Sequence, residues 1–227
     1  MTPWPASAED LIREQERLAA LRPPPWRMGA EEVAVGGCFV CFPRGYEGEG
    51  AAGDPAWAAA VVVRHGRLLA EVVVRARAAA PYRPGLLALR EGPALEDAVR
   101  ALPIRPDVLL VNATGRDHPR RAGLALHLGA RLDLPTVGVT DRPLMAAGPP
   151  PGPHRGSASP LTIGEEVVAY WVRTRTASRP VVAHAAWRTD PETAAAVILR
   201  TATAARTPEP LRLARRAARA ARAADAG

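Results

Sequence analysis

A chain of 227 residues with a formal charge of +7 has room for one α/β domain and attracts an anionic partner, but charge by itself specifies neither a fold nor a reaction. All 30 basic residues are arginine, so chemistry that needs a lysine Schiff base, a phosphate-loop ammonium or a depressed-pKa lysine base is excluded. Phosphate contacts must come from guanidinium, hydroxyl or backbone groups, and part of the charge reflects an Ala/Arg/Pro/Gly composition bias rather than function.

The opening Met1-Thr2-Pro3-Trp4-Pro5, followed by Glu9, Asp10 and Arg13, has neither the basic nor the apolar region of a secretory signal. Arg64 and Arg67 interrupt the apolar stretch at 58–74, and no other run approaches the roughly 18 residues needed to span a bilayer. The expectation is a cytoplasmic, monomeric protein with no membrane partner. Cys38 and Cys41 could be a redox pair or half a zinc site, but without further ligands at matching spacing they read as two buried apolar side chains.

In chain order, residues 7–22 place Leu11, Leu18 and Leu21 among charges behind a possible Ser7 N-cap, predicting an amphipathic helix that stops at Pro23-Pro24-Pro25. Valine-rich stretches at 33–42, 58–65 and 68–77 predict an antiparallel meander with a tight turn at His65-Gly66-Arg67. The glycine-rich link at 44–55 predicts a mobile loop. Residues 84–102 have helical spacing, broken into two pieces at Gly92-Pro93. Val108-Leu109-Leu110-Val111 predicts a strand buried on both faces, followed by a helix at about 118–132 and a strand at 136–139, which together make a parallel crossover. Residues 146–159 predict a surface loop, 165–173 and 180–184 strands, and 191–205 and 208–224 helices. Three antiparallel strands followed by alternating helices and strands predict an α/β mixed sheet, its later strands parallel, with helices on both faces. The expected organisation is one domain over 1–227, with an N-terminal helix and Pro-rich lead-in at 1–30 and an Arg/Ala-rich C-terminal helix at 206–227.

Four ordered motifs narrow this plan. Pro81-Tyr82-Arg83-Pro84-Gly85 runs into a helix bearing Arg90-Glu91. Arg105-Pro106-Asp107-Val108 leads to Gly115, His118-Pro119-Arg120-Arg121 and Gly123; Leu134-Pro135-Thr136-Val137-Gly138-Val139 follows, and Pro208-Glu209-Pro210 with Arg212 comes late. In this order they resemble the endonuclease V family from about Val33 to Arg215. The resemblance implies a ribonuclease H-like fold and cleavage of DNA or RNA near a deaminated purine (inosine). It also implies magnesium held by carboxylates and a turn that wedges into the strand. Hard magnesium needs such oxygen ligands to stabilise charge on the attacked phosphate.

At the reactive positions the chain departs from the family. With Phe42-Pro43 as anchor, the first-strand Asp falls on Phe39, or on Gly37 or Cys38 after a small slip; Glu91 is retained; the Asp after the Val108–Val111 strand falls on Asn112; the lysine falls on Asp141; and the late histidine falls on Trp187. These substitutions predict lost or strongly reduced cleavage and no stable cofactor, with magnesium needed only if the chain cuts. Asp117, Asp141 and Asp190 could rebuild a site around Glu91, although Asp190 suits an N-cap and Asp117 the positive end of a helix.

Recognition elements remain. Tyr82, with Pro81 and Pro84 beside it and Arg83 next to phosphate, reads either as a wedge between bases or as a buried turn tyrosine. Gly85 completes that turn. Gly115 and His118 resemble the purine-pocket segment, with backbone bonding as the other reading of His118. Arg120 and Arg121 either approach phosphate or are solvated. Arg212, Arg215, Arg216, Arg219 and Arg222 share one helix face opposite Leu211, Ala214, Ala218 and Ala221, which could track a phosphate backbone or be an ordinary charged surface. Three functions follow: a nucleic-acid-binding relative without catalysis, an active magnesium endonuclease with a rebuilt site, and a protein-interaction module on the same fold.

Overall fold

The computed structural model describes residues 3–29, 32–45 and 48–225. Helix α1 (Ala8–Ala20) starts where Ser7 caps it, its hydroxyl accepting the Asp10 N–H, and it buries Leu11, Gln15 and Leu18. Strands β1 (Val35–Cys41), β2 (Pro55–Arg64) and β3 (Arg67–Arg77) form the expected antiparallel meander. After α2 (Leu87–Arg100) come β4 (Val108–Val111), α3 (Leu124–Leu132) and β5 (Thr136–Thr140), then β6 (Ala158–Ile163), β7 (Glu166–Val172), β8 (Val181–Ala185), α4 (Pro191–Thr201) and α5 (Glu209–Ala224). One eight-stranded sheet results, in the order β3-β2-β1-β4-β5-β8-β7-β6.

The two parallel joints lie at the centre, where β1 pairs with β4 and β4 with β5; of the later strands expected to be parallel, β8, β7 and β6 instead add on antiparallel, because short hairpin-like links join them. All of β4 is buried because helices cover both faces, which explains its unbroken apolar run. Leu109 and Val111 pack with α1, α2 and α3, whereas Val108 and Leu110 pack towards α4 and α5. The same alternation sends Cys38 and Val40 to the α2 side and Phe39 and Cys41 to the α5 side. The two thiols are therefore free, buried and on opposite faces, which rules out a redox pair or shared metal, and burial pushes both above the usual thiol range. Where α5 begins, it rests on β1: a Cβ at Gly37 would overlap the Pro210 carbonyl, so only glycine allows this approach.

Four further expectations need correction. Helix α2 continues through Pro93 as one element, because Ala88, Leu89, Ala94, Leu95, Ala98 and Val99 bury one continuous face that offsets the missing hydrogen bond. Helix α3 starts at Leu124 rather than near His118, because Arg121 has φ of 58° and Gly123 is its extended N-cap, so residues 112–123 form a loop. The end of the predicted 146–159 loop belongs to β6, an edge strand whose Pro160 disguised it; an edge tolerates proline because one side of the ladder is unpaired. Helix α4 ends at Thr201, short of residue 205. The described part of the 44–55 link is anchored: Tyr82 N–H donates to Glu49 O, and Arg90 donates to Ala51 O; positions 46 and 47 lie outside the described residues, as do Met1 and Thr2. Among the described residues no helix is long and apolar enough to cross a membrane.

Candidate functional site

The parallel strands β1, β4 and β5 end at one edge of the sheet, which brings Phe39, Asn112 and Thr140 to the same side. Ligands of open α/β sheets gather at such carboxyl ends. A cleft of about 240 Å³ opens there, lined by Tyr82, Pro84, Gly85 and Leu87 from the turn into α2, Asn112, Ala113, Thr114 and His118 after β4, and Thr140 and Leu144 after β5. Two apolar side chains stand exposed at its rim, Tyr82 at 44% and Leu144 at 51%. Tyr82 is thus no buried turn tyrosine. Pro81 is half-buried; Arg83 is exposed. A hollow of about 160 Å³ beside Val33, His65 and Arg200 lies at the other end of β1 and gathers none of the predicted site residues.

The cleft has a rigid floor. His118 Nε2 lies 3.2 Å from Gly85 O, and Arg120 Nη2 donates to the same oxygen at 2.8 Å while its Nε–H donates to Gln15 of α1. Burial, aided by the Arg120 charge, holds His118 neutral, its pKa pushed down to about 4. His118 bonds backbone, as one of its readings has it, and it also lines the cleft. Arg120 and Arg121 are neither free for phosphate nor simply solvated, since Arg120 braces the turn and Arg121 pairs with Glu166. Gly115 does not line the cleft; it packs against the Ala185 carbonyl, where a Cβ would overlap that oxygen.

Behind Thr140 lies a group that sequence reasoning missed. Asp117, expected to favour a helix terminus, is fully buried and accepts the N–H groups of Leu144, Met145 and Ala146 at 2.7, 2.7 and 2.8 Å. His184 is also fully buried, with Nδ1 3.6 Å from Asp117 Oδ2 and Nε2 2.7 Å from the Thr140 hydroxyl. Burial pushes its pKa down to about 4, against the opposing Asp117 charge. The Thr140 hydroxyl donates to Arg142 O at 2.6 Å, so its oxygen accepts from His184 Nε2–H, which assigns the ring proton to Nε2 and leaves Nδ1 facing Asp117 without a hydrogen bond. The bonds of Asp117 and Thr140 fix the loop that carries Leu144 to the rim. Only the strand pairing of Gly138 with His184 unites these residues, so nothing in their spacing could have revealed them. Asp117→Ala would strand three backbone donors and should cost on the order of 3 kcal/mol or more in urea unfolding; a loss below about 1 kcal/mol would contradict the assigned network.

The remaining predicted positions separate. Glu91 keeps some solvent contact, yet protein surrounds its carboxyl closely enough to raise it to about 7, with Arg90 opposing. It sits on α2 near Cys38, against the face opposite the one Phe39 presents to α5. Trp187 belongs to the other end of the sheet: β8 runs antiparallel to β5, and Trp187 O accepts the N–H of Thr136, the first residue of β5. Asp141 is exposed and paired with Arg206, and Asp190 caps α4 through the Thr193 N–H at 2.8 Å. An arginine occupies the edge instead. Arg215 of α5 lies over the Phe39 ring at 5.0 Å and approaches Asn112 Oδ1 at 3.4 Å. The stripe on α5 is accordingly no uniformly solvated face, since Arg215 and Arg222 turn inward, the latter donating to Phe42 O. An aromatic ring, an amide and a guanidinium do not fit a divalent cation, and the described residues contain no group of three or more His, Cys, Asp or Glu that could hold one.

Three central parallel strands flanked by antiparallel ones, with helices on both faces and a cleft at the carboxyl ends, define the ribonuclease H-like class. Within that class the chain belongs to the endonuclease V family, whose model matches residues 31–216. Endonuclease V of Streptomyces coelicolor is 38% identical over 226 residues, covering 96% of this chain and 92% of that one. The crystal structure of endonuclease V from Streptomyces avermitilis superposes with a TM-score of 0.84 at 34% identity, covering 99% of this chain and 96% of that one. Ciona intestinalis endonuclease V, solved with a 23mer DNA containing an inosine followed by a ribo-adenosine, shares the fold at a TM-score of 0.78 and 21% identity, covering 96% and 99%.

Proposed function

We propose that this protein binds nucleic acid containing a deaminated purine such as inosine, with strand cleavage lost or strongly reduced. The observation that carries the reading is the cleft between exposed Tyr82 and Leu144, intact beside an edge where Phe39, Asn112 and Arg215 replace carboxylate chemistry. Apolar walls can stack an extruded base, while the exposed Asn112 amide presents hydrogen-bonding groups to its edge. On this reading the protein works as a cytoplasmic monomer and needs no metal to bind.

The test compares affinities for inosine-containing and matched control oligonucleotides, as DNA and as RNA, at physiological salt. Tighter binding of the inosine strands is expected; equal, very weak binding of all strands would end the proposal. Tyr82→Ala should weaken inosine binding about 10-fold, the worth of one stacked base, and leave the melting temperature unchanged because Tyr82 is exposed. An active endonuclease around Glu91 is the second reading, favoured by that retained carboxyl at the edge of the sheet. Incubation with magnesium or manganese decides between the two: products absent from a Glu91→Ala control would establish cleavage.

A further inference from the structure

Arg215 and Arg219, one turn apart on α5, both lie over the Phe39 ring, at 5.0 and 5.9 Å from its centroid. The Arg215 Nε–H is buried without a hydrogen-bond partner, and its single long contact, at 3.4 Å, is with the Asn112 amide oxygen. Arg206 approaches from the β8 side, held by Asp141 and by the Arg179 and Pro180 carbonyls. Burial and the neighbouring Arg219 and Arg206 charges hold Arg215 below the ordinary arginine value, with Asp141 opposing. Like charges crowded over an aromatic face, with an unused donor among them, gain most from an anion that bridges them. Asn112 belongs to both this cluster and the cleft lining, so the cluster borders the place where a base would enter.

We propose that Arg215 and Arg219, seated on Phe39, form a metal-independent site for a phosphodiester of the strand whose base enters the cleft. Two guanidinium groups supply fixed positive charge at the edge where the family resemblance implies a metal. They can hold a phosphate, but unlike a metal they do not turn a bound water into a nucleophile. The inference rests on the nucleic-acid-binding reading above and deepens it by naming the phosphate contact.

The experiment measures affinity for an inosine oligonucleotide and its inosine-free control in excess EDTA and again with magnesium, using wild type, Arg215→Gln, Arg215→Lys and Arg200→Gln. Arg200 is exposed and lines the hollow at the other end of β1, so it controls for net charge. Wild-type binding should be the same in EDTA and magnesium. Arg215→Gln should weaken both oligonucleotides about 10-fold and lower the salt slope by about 1. Arg215→Lys, which keeps the charge but loses the fork, should fall in between, and Arg200→Gln should stay near wild type. Unchanged melting of the Arg215 variants would separate contact loss from unfolding, a control that the half-buried side chain requires. Binding that requires magnesium, Arg215→Gln matching Arg200→Gln, or no binding of either strand would overturn the proposal. Equal affinity for the two strands with Arg215 dependence retained would remove the inosine reading and leave the phosphate site standing.

Discussion

Lowering the pH from 6.5 to 4.5 should destabilise the fold by about 4 kcal/mol, read from urea midpoints across that range. His118, His127 and His184 are each buried and each pushed down to about 4, burial being the largest cause in every case. His118 faces Arg120 and Asp117, His127 faces Glu14, Arg131, Glu96 and Arg17, and His184 faces Asp117. The unfolded imidazoles take up protons near pH 6.5 while the folded ones wait until about 4, so the unfolded chain binds more protons throughout this window. Their contribution is fully present above pH 6.5 and is lost on descent through 4. Glu91 acts in the opposite sense: raised to about 7, it is protonated in the folded chain first and gains stability as the pH falls to its ordinary carboxylate range. Three histidines outweigh one glutamate at about 1.4 kcal/mol per group and pH unit. A profile flat between pH 6.5 and 4.5 would show that these imidazoles are solvated. His127→Gln should remove roughly one proton from the slope.

Arg90→Met should cost about 3–5 kcal/mol, because it leaves Asp54 without its buried cationic partner. The two side chains are 6% and 9% exposed, with Arg90 Nη2 2.9 Å from Asp54 Oδ2. Arg90 also donates to the carbonyls of Ala80 and Ala51 and lies over Phe42 at 4.1 Å, tying α2 to the 44–55 link and to the approach to the Tyr82 turn. Arg90→Met combined with Asp54→Leu should recover part of the loss, since the double variant also removes the buried carboxylate that Arg90 balances. A single-variant cost below about 1 kcal/mol in urea unfolding would show that water reaches the pair.

Much of the fold was legible because the informative residues act locally. Ser7 and Asp190 cap their own helices, Val108–Val111 is apolar throughout because both its faces are covered, and Pro81–Gly85 forms a turn of its own. The same local rules misled at Pro93, where burial along all of α2 overrode proline chemistry, and at Pro160, where an edge position made it harmless. Trp187 was matched to a reactive position by its spacing after a strand. Spacing carries no strand direction, and the antiparallel β8 delivers it to the far end of the sheet.

The sequence by itself determined the family, the order of most elements, the Pro81–Gly85 turn and the absence of carboxylates at Phe39 and Asn112, because each is written in contiguous residues. Only the tertiary structure decided that Arg215 shares an edge with Phe39 and Asn112, that buried Asp117 and His184 face each other behind Thr140, and that Arg120 and Arg121 are engaged within the protein. Those juxtapositions join residues 44 to 176 positions apart. They depend on which strand pairs with which and on how closely α5 settles over Gly37, and a linear pattern does not encode either.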